Sequence, residues 1–351
     1  MSWLAVSMGD PAGIGLELVA RAWADRAALP PFFLVGDSGA ITAALERAGL
    51  PGRISVIVDA ETAPLAPPDT LIVLTTPKTK LPEIARPGEP NPANAPATIA
   101  AIEASVNAVR AGHACALVTL PIAKNVLQSA GFGYPGHTEF IAHLTRDDPW
   151  SHARGPVMLL AGPTLKVALV TIHTPLAQVP GALTRDNIIA TGRVLGETLQ
   201  RDFGIAAPRM ALCGLNPHAG EQGQIGREEI EIINPAAAAL RAEGWNVSDA
   251  RAADSLFHDE ARKSYDAAIA LYHDQGLIPI KTLHFWDAVN VTLGLPIVRT
   301  SPDHGTGFDI AGRGVARPDS FYAALKLAHE MARRRLRTAG VPAGETPAVQ
   351  E

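Results

Sequence analysis

Three histidines each follow a short apolar run: His173 after VALVTI, His218 after MALCGLNP and His273 after AAIALY. The end of a buried strand is where α/β folds place ligand-binding groups. One such histidine is ordinarily a satisfied structural residue. Three beside turns or polar clusters point to a shared site, because three neutral imidazoles with open positions form a divalent-metal centre of catalytic type. No HExxH spacing supports this locally. His273 sits in YHDQGLIPIK, with Asp274 adjacent and Lys281 further along, and His218 lies in the glycine-rich loop NPHAGEQGQIG. Asn290, Arg299 and the SPDHGTGFDIAGRG loop follow. Lys281, Asn290 and Arg299 together offer two cations and an amide donor, a set suited to phosphate. Each alone would read as a solvated surface residue.

The elements that must position these groups alternate. Strands are expected at Leu4–Met8, Phe32–Val35, Ile54–Val58, Leu71–Leu74, Ala116–Thr119, Val157–Leu160, Val167–Thr171, Met210–Cys213, Ala268–Leu271 and Asn290–Leu293. Many are continuous apolar runs, as strands covered on both faces require. Helices are expected at Ile14–Trp23, Ala97–Ala111, Arg185–Arg201, Glu228–Ala242 and Phe321–Arg335. In the second of these, Ile99, Ile102, Val106 and Val109 fall on one face. Such alternation predicts an α/β fold with a largely parallel sheet. Val157–Leu160 and Val167–Thr171, joined through AGPT, read as a hairpin. Thr76–Pro96 reads as a long surface loop, and the tail after Gly340 as frayed.

The chain has 351 residues, of which 47% are hydrophobic and 19% charged. That composition excludes disorder, and the length suggests two domains. A net charge of −5 and no strongly basic block argue against nucleic acid or an anionic membrane as partner. The only cysteines, Cys115 and Cys213, lie in apolar segments and read as core thiols. Two lone thiols, no apolar run long enough to span a membrane and no leader at Met1–Met8 lead us to expect a soluble cytoplasmic protein.

Nucleotide motifs are weak. No GxxxxGK[ST] occurs. Gly131, Gly133 and Gly136 match GxGxxG, but a helical stretch precedes them and Pro135 interrupts them, so the segment reads as a turn. Near the start, MGDPAGIGLEL reads as a tight strand-to-helix turn. Either it approaches an anion through its glycines or Asp10 caps the helix.

In chain order, MGDPAGIGLE, GHTEF, NPHAGE, YHDQGL, VNVTLGLP and TSPDHGT make this sequence resemble the 4-hydroxythreonine-4-phosphate dehydrogenase family over essentially its whole length. The resemblance implies two α/β/α domains with a cleft between them, like the isocitrate and isopropylmalate dehydrogenases. The expected limits are 1–135 with 300–351 for one domain and 136–299 for the other. It implies metal ligation by His173, His218 and His273, and substrate contacts from His137, Thr138, Lys281, Asn290 and Arg299. Asp254 and Asp274 would be carboxylates near the substrate. It also implies a homodimer with a shared site, in which His273 comes from the partner subunit, and NAD or NADP as cofactor, with no cofactor-binding residues assignable. Zinc suits three imidazoles by ligand type, with magnesium, manganese or cobalt as alternatives. Gly307 stands where alanine is expected, and TLHFWDAV (282–289) is bulkier than the expected glycine-rich stretch.

The implied reaction is oxidation of 4-phosphooxy-L-threonine to a β-keto acid that loses CO2, giving 3-amino-2-oxopropyl phosphate, in pyridoxal 5′-phosphate synthesis. A same-family enzyme for 4-phospho-D-threonate, 4-phospho-D-erythronate or an aromatic cis-dihydrodiol is the nearest alternative. A phosphate acyltransferase on a related fold, or a non-catalytic binder, would be a different class.

Overall fold

The computed structural model describes residues 3–50, 52–67 and 69–338; the C-terminal tail lies outside them. Its strands are β1 (Leu4–Ser7), β2 (Phe32–Val35), β3 (Arg53–Ile57), β4 (Thr70–Leu74), β5 (Ala116–Thr119), β6 (Val157–Ala161), β7 (Lys166–Leu169), β8 (Arg209–Leu212), β9 (Asn246–Val247), β10 (Ala267–Ala270), β11 (Val289–Leu293) and β12 (Arg299–Pro302). By backbone contacts the chain divides into Met1–Asp147 with Ile297–Glu351, and Asp148–Pro296. Helix His137–Leu144 thus belongs to the first unit rather than the second, where the sequence reading put it. The rings of Phe132 and Tyr134 each lie 5.0 Å from that of Phe140, tying this helix to the turn before it.

In the first unit the strands run β3-β4-β2-β1-β5-β12, all parallel. Every residue of β1, β2 and β5 is buried, whereas edge strand β3 is largely half-buried or exposed. Central strands of a parallel sheet are covered on both faces, which is why they read as unbroken apolar runs. Helix Ala95–Arg110 packs on β1, β2 and β5, and helix Asp319–Thr338 on β12, β5 and β1. The second unit runs β11-β6-β7-β10-β8-β9. The pairs β11–β6 and β6–β7 are antiparallel, the latter being the expected hairpin, and β7, β10, β8 and β9 are parallel. Its core includes Leu160, Val167, Ala268 and Ile280.

The turn after β1 is built differently from the capped helix considered above. Asp10 Oδ1 accepts from Ala12 N at 3.0 Å, inside the turn. Helix Gly15–Ala24 starts from Ile14 without a side-chain cap. Burial raises the Asp10 carboxyl above its usual range. Gly9 has φ +69°, and a Cβ there would lie 2.6 Å from Pro121 O and 2.9 Å from Leu120 C. Both the left-handed backbone and the close approach of a second backbone exclude a side chain. Gly9→Ala should therefore cost more than about 2 kcal/mol, since neither neighbour can rotate away. Urea unfolding would check this; an unchanged midpoint would refute the account of the turn.

Candidate active site

In the first unit, Arg299 at the start of β12 is only 3% exposed. Its Nε and Nη2 donate to Thr119 Oγ1 at 3.2 and 2.6 Å, which places the guanidinium at the carboxyl end of β5. Desolvation pushes its pKa down to about 10, partly offset by Glu139. His137 opens helix His137–Leu144, followed by half-buried Thr138. His137 Nε2 is buried and has no hydrogen-bond partner. Its proton affinity is held well below the usual imidazole range, first by burial and then by the charges of Arg299 and Lys124. The structure thus gathers two cations and a neutral imidazole with an unsatisfied ring nitrogen, at a helix start lacking a side-chain cap. That arrangement suits an anion. Lys124 and Thr119 escaped the sequence reading. Lys124 stands outside any motif with a recognisable mechanism, and Thr119 read only as the end of an apolar strand.

The second unit presents the three histidines beyond β7, β8 and β10, which are neighbours in the order β7-β10-β8. His273 begins helix His273–His284. Its Nδ1 faces Asp274 Oδ1 at 2.7 Å, leaving Nε2 as the atom free to take a ligand. The rings of His173 and His273 lie 5.8 Å apart. Among the described residues, His173, His218 and His273 of one chain do not bring their ring nitrogens to within 4.8 Å of one another.

His218 sits on an unusual segment. His218, Ala219, Glu221 and Gln222 all have φ between +44° and +54°. Left-handed conformation costs non-glycine residues roughly 1–2 kcal/mol each, so this turn must be held from outside. Glu229, 2% exposed, holds it. Its Oε1 accepts from Leu215 N and Asn216 N, both at 2.8 Å, and its Oε2 from Asn216 Nδ2 at 2.9 Å. Gln275 ties the two histidine-bearing segments together, accepting from Leu271 N and donating to Gly214 O, both at 2.7 Å. Glu229 was also missed in the sequence, where it falls within the expected helix Glu228–Ala242 with no role assigned.

Lys281 lies in the same helix as His273, with Nζ 5.5 Å from the centroid of the Phe285 ring. Asn290 in β11 has a buried Oδ1 with no hydrogen-bond partner. Asp254 is exposed in a short turn (Ala253–Ser255) that packs against the His218 segment. The bulky 282–289 stretch is anchored by His284: its Nε2 meets Thr164 Oγ1 at 2.8 Å, and its Nδ1 lies 3.4 Å from Asp287. Phe285 and Trp286 beside it are 58% and 50% exposed. A separate group, Asp59, Glu61 and His113, has ligand atoms within 4.8 Å of one another in the first unit. Both carboxylates are exposed, and Asp59 is occupied in capping the turn at Glu61 N. It does not include the expected histidines.

Two outcomes follow from this chemistry. Glu229→Gln replaces an acceptor with a donor facing Asn216 Nδ2, so the turn should lose about 1–3 kcal/mol of local stability. Hydrogen exchange would report it as faster exchange at Leu215 and Asn216; unchanged protection would remove Glu229 from this role. His137 is depressed below its ordinary 6.5 in the folded chain. The unfolded chain therefore takes up the proton first, and stability falls as pH drops below about 6.5, with a limiting slope near 1.4 kcal/mol per pH unit. His329 is shifted in the same direction by burial and Arg333. The difference between wild type and His137→Asn isolates His137: the variant should lose less stability between pH 7 and pH 5. Equal losses would refute a buried neutral imidazole.

The model of the family described as pyridoxal phosphate biosynthetic protein PdxA matches residues 28–328. A 4-hydroxythreonine-4-phosphate dehydrogenase of Maricaulis maris is 53% identical, over 95% of this chain and 99% of the relative. The crystal structure of the Klebsiella pneumoniae enzyme of that name is 38% identical, with a TM-score of 0.83 over 94% of this chain and 98% of the other. A terephthalate 1,2-cis-dihydrodiol dehydrogenase from Burkholderia xenovorans is 30% identical, with a TM-score of 0.63 over 94% and 98% of the two chains. By the family match and these identities, the chain belongs to the pyridoxal phosphate biosynthetic protein PdxA family.

Proposed function

We propose that this chain is an NAD- or NADP-dependent 4-hydroxythreonine-4-phosphate dehydrogenase. It oxidises 4-phosphooxy-L-threonine at C3 to a β-keto acid, which loses CO2 to give 3-amino-2-oxopropyl phosphate. One observation carries the choice of a phosphorylated substrate: buried Arg299 stands with a neutral His137 whose Nε2 lacks a partner. A phosphate would accept from the His137 ring nitrogen and pair with the Arg299 charge, with Thr138 and Lys124 adding donors. Lys281 and Asn290 are assigned to the same substrate, and the unpartnered Asn290 Oδ1 supports that role. Remote contacts of this kind orient the reacting carbon. Asp254 and Asp274 are proposed to orient the substrate amine or a ligating imidazole, as Asp274 does for His273.

The donor set fits a divalent cation: His173 and His273 stand ring to ring, and the Asp274 contact fixes the His273 tautomer. His173, His218 and His273 would hold zinc, magnesium, manganese or cobalt. When bound, such an ion supplies Lewis-acid stabilisation of negative charge developing at the C3 oxygen. The three imidazoles of one chain do not all converge to ligand distance among the described residues, which supports completion of the site by a second copy. Exposed Ile278, Phe285 and Trp286 on and after the His273 helix, with Ile225 and Ile230 elsewhere in the same unit, support a homodimer through this unit. A cytoplasmic location fits the thiols of Cys115 and Cys213, both unbridged and pushed up to about 12 by burial.

The 30% identity to the cis-dihydrodiol dehydrogenase keeps a second, same-family substrate in view. The test is NADH or NADPH formation with 4-phosphooxy-L-threonine, 4-phospho-D-threonate, 4-phospho-D-erythronate and a cis-dihydrodiol carboxylate, with and without chelator, alongside sedimentation. Expected are preference for phosphothreonine, loss with chelator, a dimer, and a fall of at least about 100-fold in His218→Ala without unfolding. Preference for another substrate moves the enzyme to another pathway. A fully active monomer, or chelator-resistant turnover, removes the shared metal site.

A further inference from the structure

The first unit holds a cleft of about 320 Å3 between the start of helix Gly15–Ala24, the end of helix Ser38–Arg47 and the turn Gly312–Gly314. That is at the lower end of the range for small organic ligands, roughly 300–1,000 Å3, and far more than a bare anion fills. Arg21, Arg47 and Arg313 line it against one carboxylate, Glu17. Three cations against one anion leave an excess of two positive charges, in a chain whose net charge is −5.

Glu17 is already committed. It is 8% exposed and accepts from Gly312 N at 3.2 Å and Ala316 N at 3.4 Å. Arg21 donates to Gly314 O and stays 3.9 Å from Glu17 Oε1, so it braces the same turn. Arg47 and Arg313 are exposed and form no ion pair among the described residues. Leu16 and Leu50 supply apolar wall. The turn is fixed on one side and open on the other. A Cβ on Gly312 would lie 2.8 Å from Pro87 Cβ, whereas nothing lies within 4 Å of the equivalent point on Gly314. A ligand can therefore approach bare backbone there.

We infer that this cleft binds an organic phosphomonoester carrying a ring-sized apolar body. A phosphate dianion matches the charge excess, guanidinium forks suit its oxygens, and the leucine-lined wall takes the ring. Two sources share this chemistry: the 2′-phosphorylated adenosine end of a dinucleotide, and a free ring phosphate acting as an effector. Neither Arg47 nor Arg313 belongs to the histidine and phosphate constellations described above.

The test is calorimetric titration of the full chain with inorganic phosphate, adenosine 2′,5′-bisphosphate and phenyl phosphate at about 0.15 M salt. At least one ring phosphate should bind about tenfold or more tightly than inorganic phosphate, and an Arg47→Ala, Arg313→Ala double variant should lose about tenfold in that affinity while keeping its melting temperature. Binding of the adenosine ligand alone, in competition with NADP, identifies the dinucleotide. Binding of phenyl phosphate without competition identifies a separate effector. No preference over inorganic phosphate, or equal affinity in the folded double variant, overturns the assignment.

Discussion

A buried guanidinium is the constraint around which the first unit is arranged. Desolvating a cation is costly unless hydrogen bonds and compensating charge surround it. Arg299 meets that cost with Thr119 at the carboxyl end of β5 and with the nearby charge of Glu139. Its side chain reaches Thr119 because β12 runs parallel to β5 with Arg299 opposite Leu117. The helix that begins at His137 then brings an imidazole under the same field. With Arg299 and Lys124 near it, His137 stays neutral and its buried Nε2 stays unsatisfied. An anion at that position would balance the charges of Arg299 and Lys124 and take a hydrogen bond from the His137 ring nitrogen.

The second unit solves a different problem. Its parallel strands β7, β10 and β8 end on one side, so residues just beyond them are neighbours whatever their separation in sequence. That alone brings His173 and His273 ring to ring. It does not direct His218, whose segment runs through a left-handed turn. A disfavoured backbone persists only where something else fixes it, and Glu229 does so with one carboxylate accepting three hydrogen bonds. The position of His218 therefore depends on a buried acid rather than on the strand before it.

These two solutions explain what the sequence could disclose. Strands such as Phe32–Val35 and Ala116–Thr119 are legible because a doubly covered strand must be apolar throughout. The three histidines were found for a related reason, since each follows such a run. Strand β12 was hidden because RTSP is polar, and its burial comes from neighbours rather than composition. The helix from His273 was hidden by Gly276 and Pro279, which oppose helix by propensity and are overruled by packing on β6 and β7. Glu228–Ala242 read as one helix, but Glu229–Ile233 is a π turn that begins with the residue gripping the His218 segment. Partners such as Glu229, Thr119 and Lys124 escape because side-chain contacts across the fold leave no periodicity. The motif resemblance supplied His137 and Thr138, which no pattern of hydrophobicity would have singled out.

Differences in substrate among relatives can be placed on the same physical footing. A relative named for an aromatic cis-dihydrodiol shares this fold at 30% identity, so a preference for one ligand over another must come from side chains rather than from topology. In this chain a buried Arg299 beside a neutral histidine presents a positive field, which favours a ligand carrying negative charge. The bulk at 284–286 acts in the other unit, where His284 fixes the backbone through Thr164 and leaves Phe285 close to Lys281. An aromatic face limits how Lys281 can swing without removing its charge. The first unit thus presents a buried charge and the second an aromatic face beside Lys281, each set by contacts within its own unit.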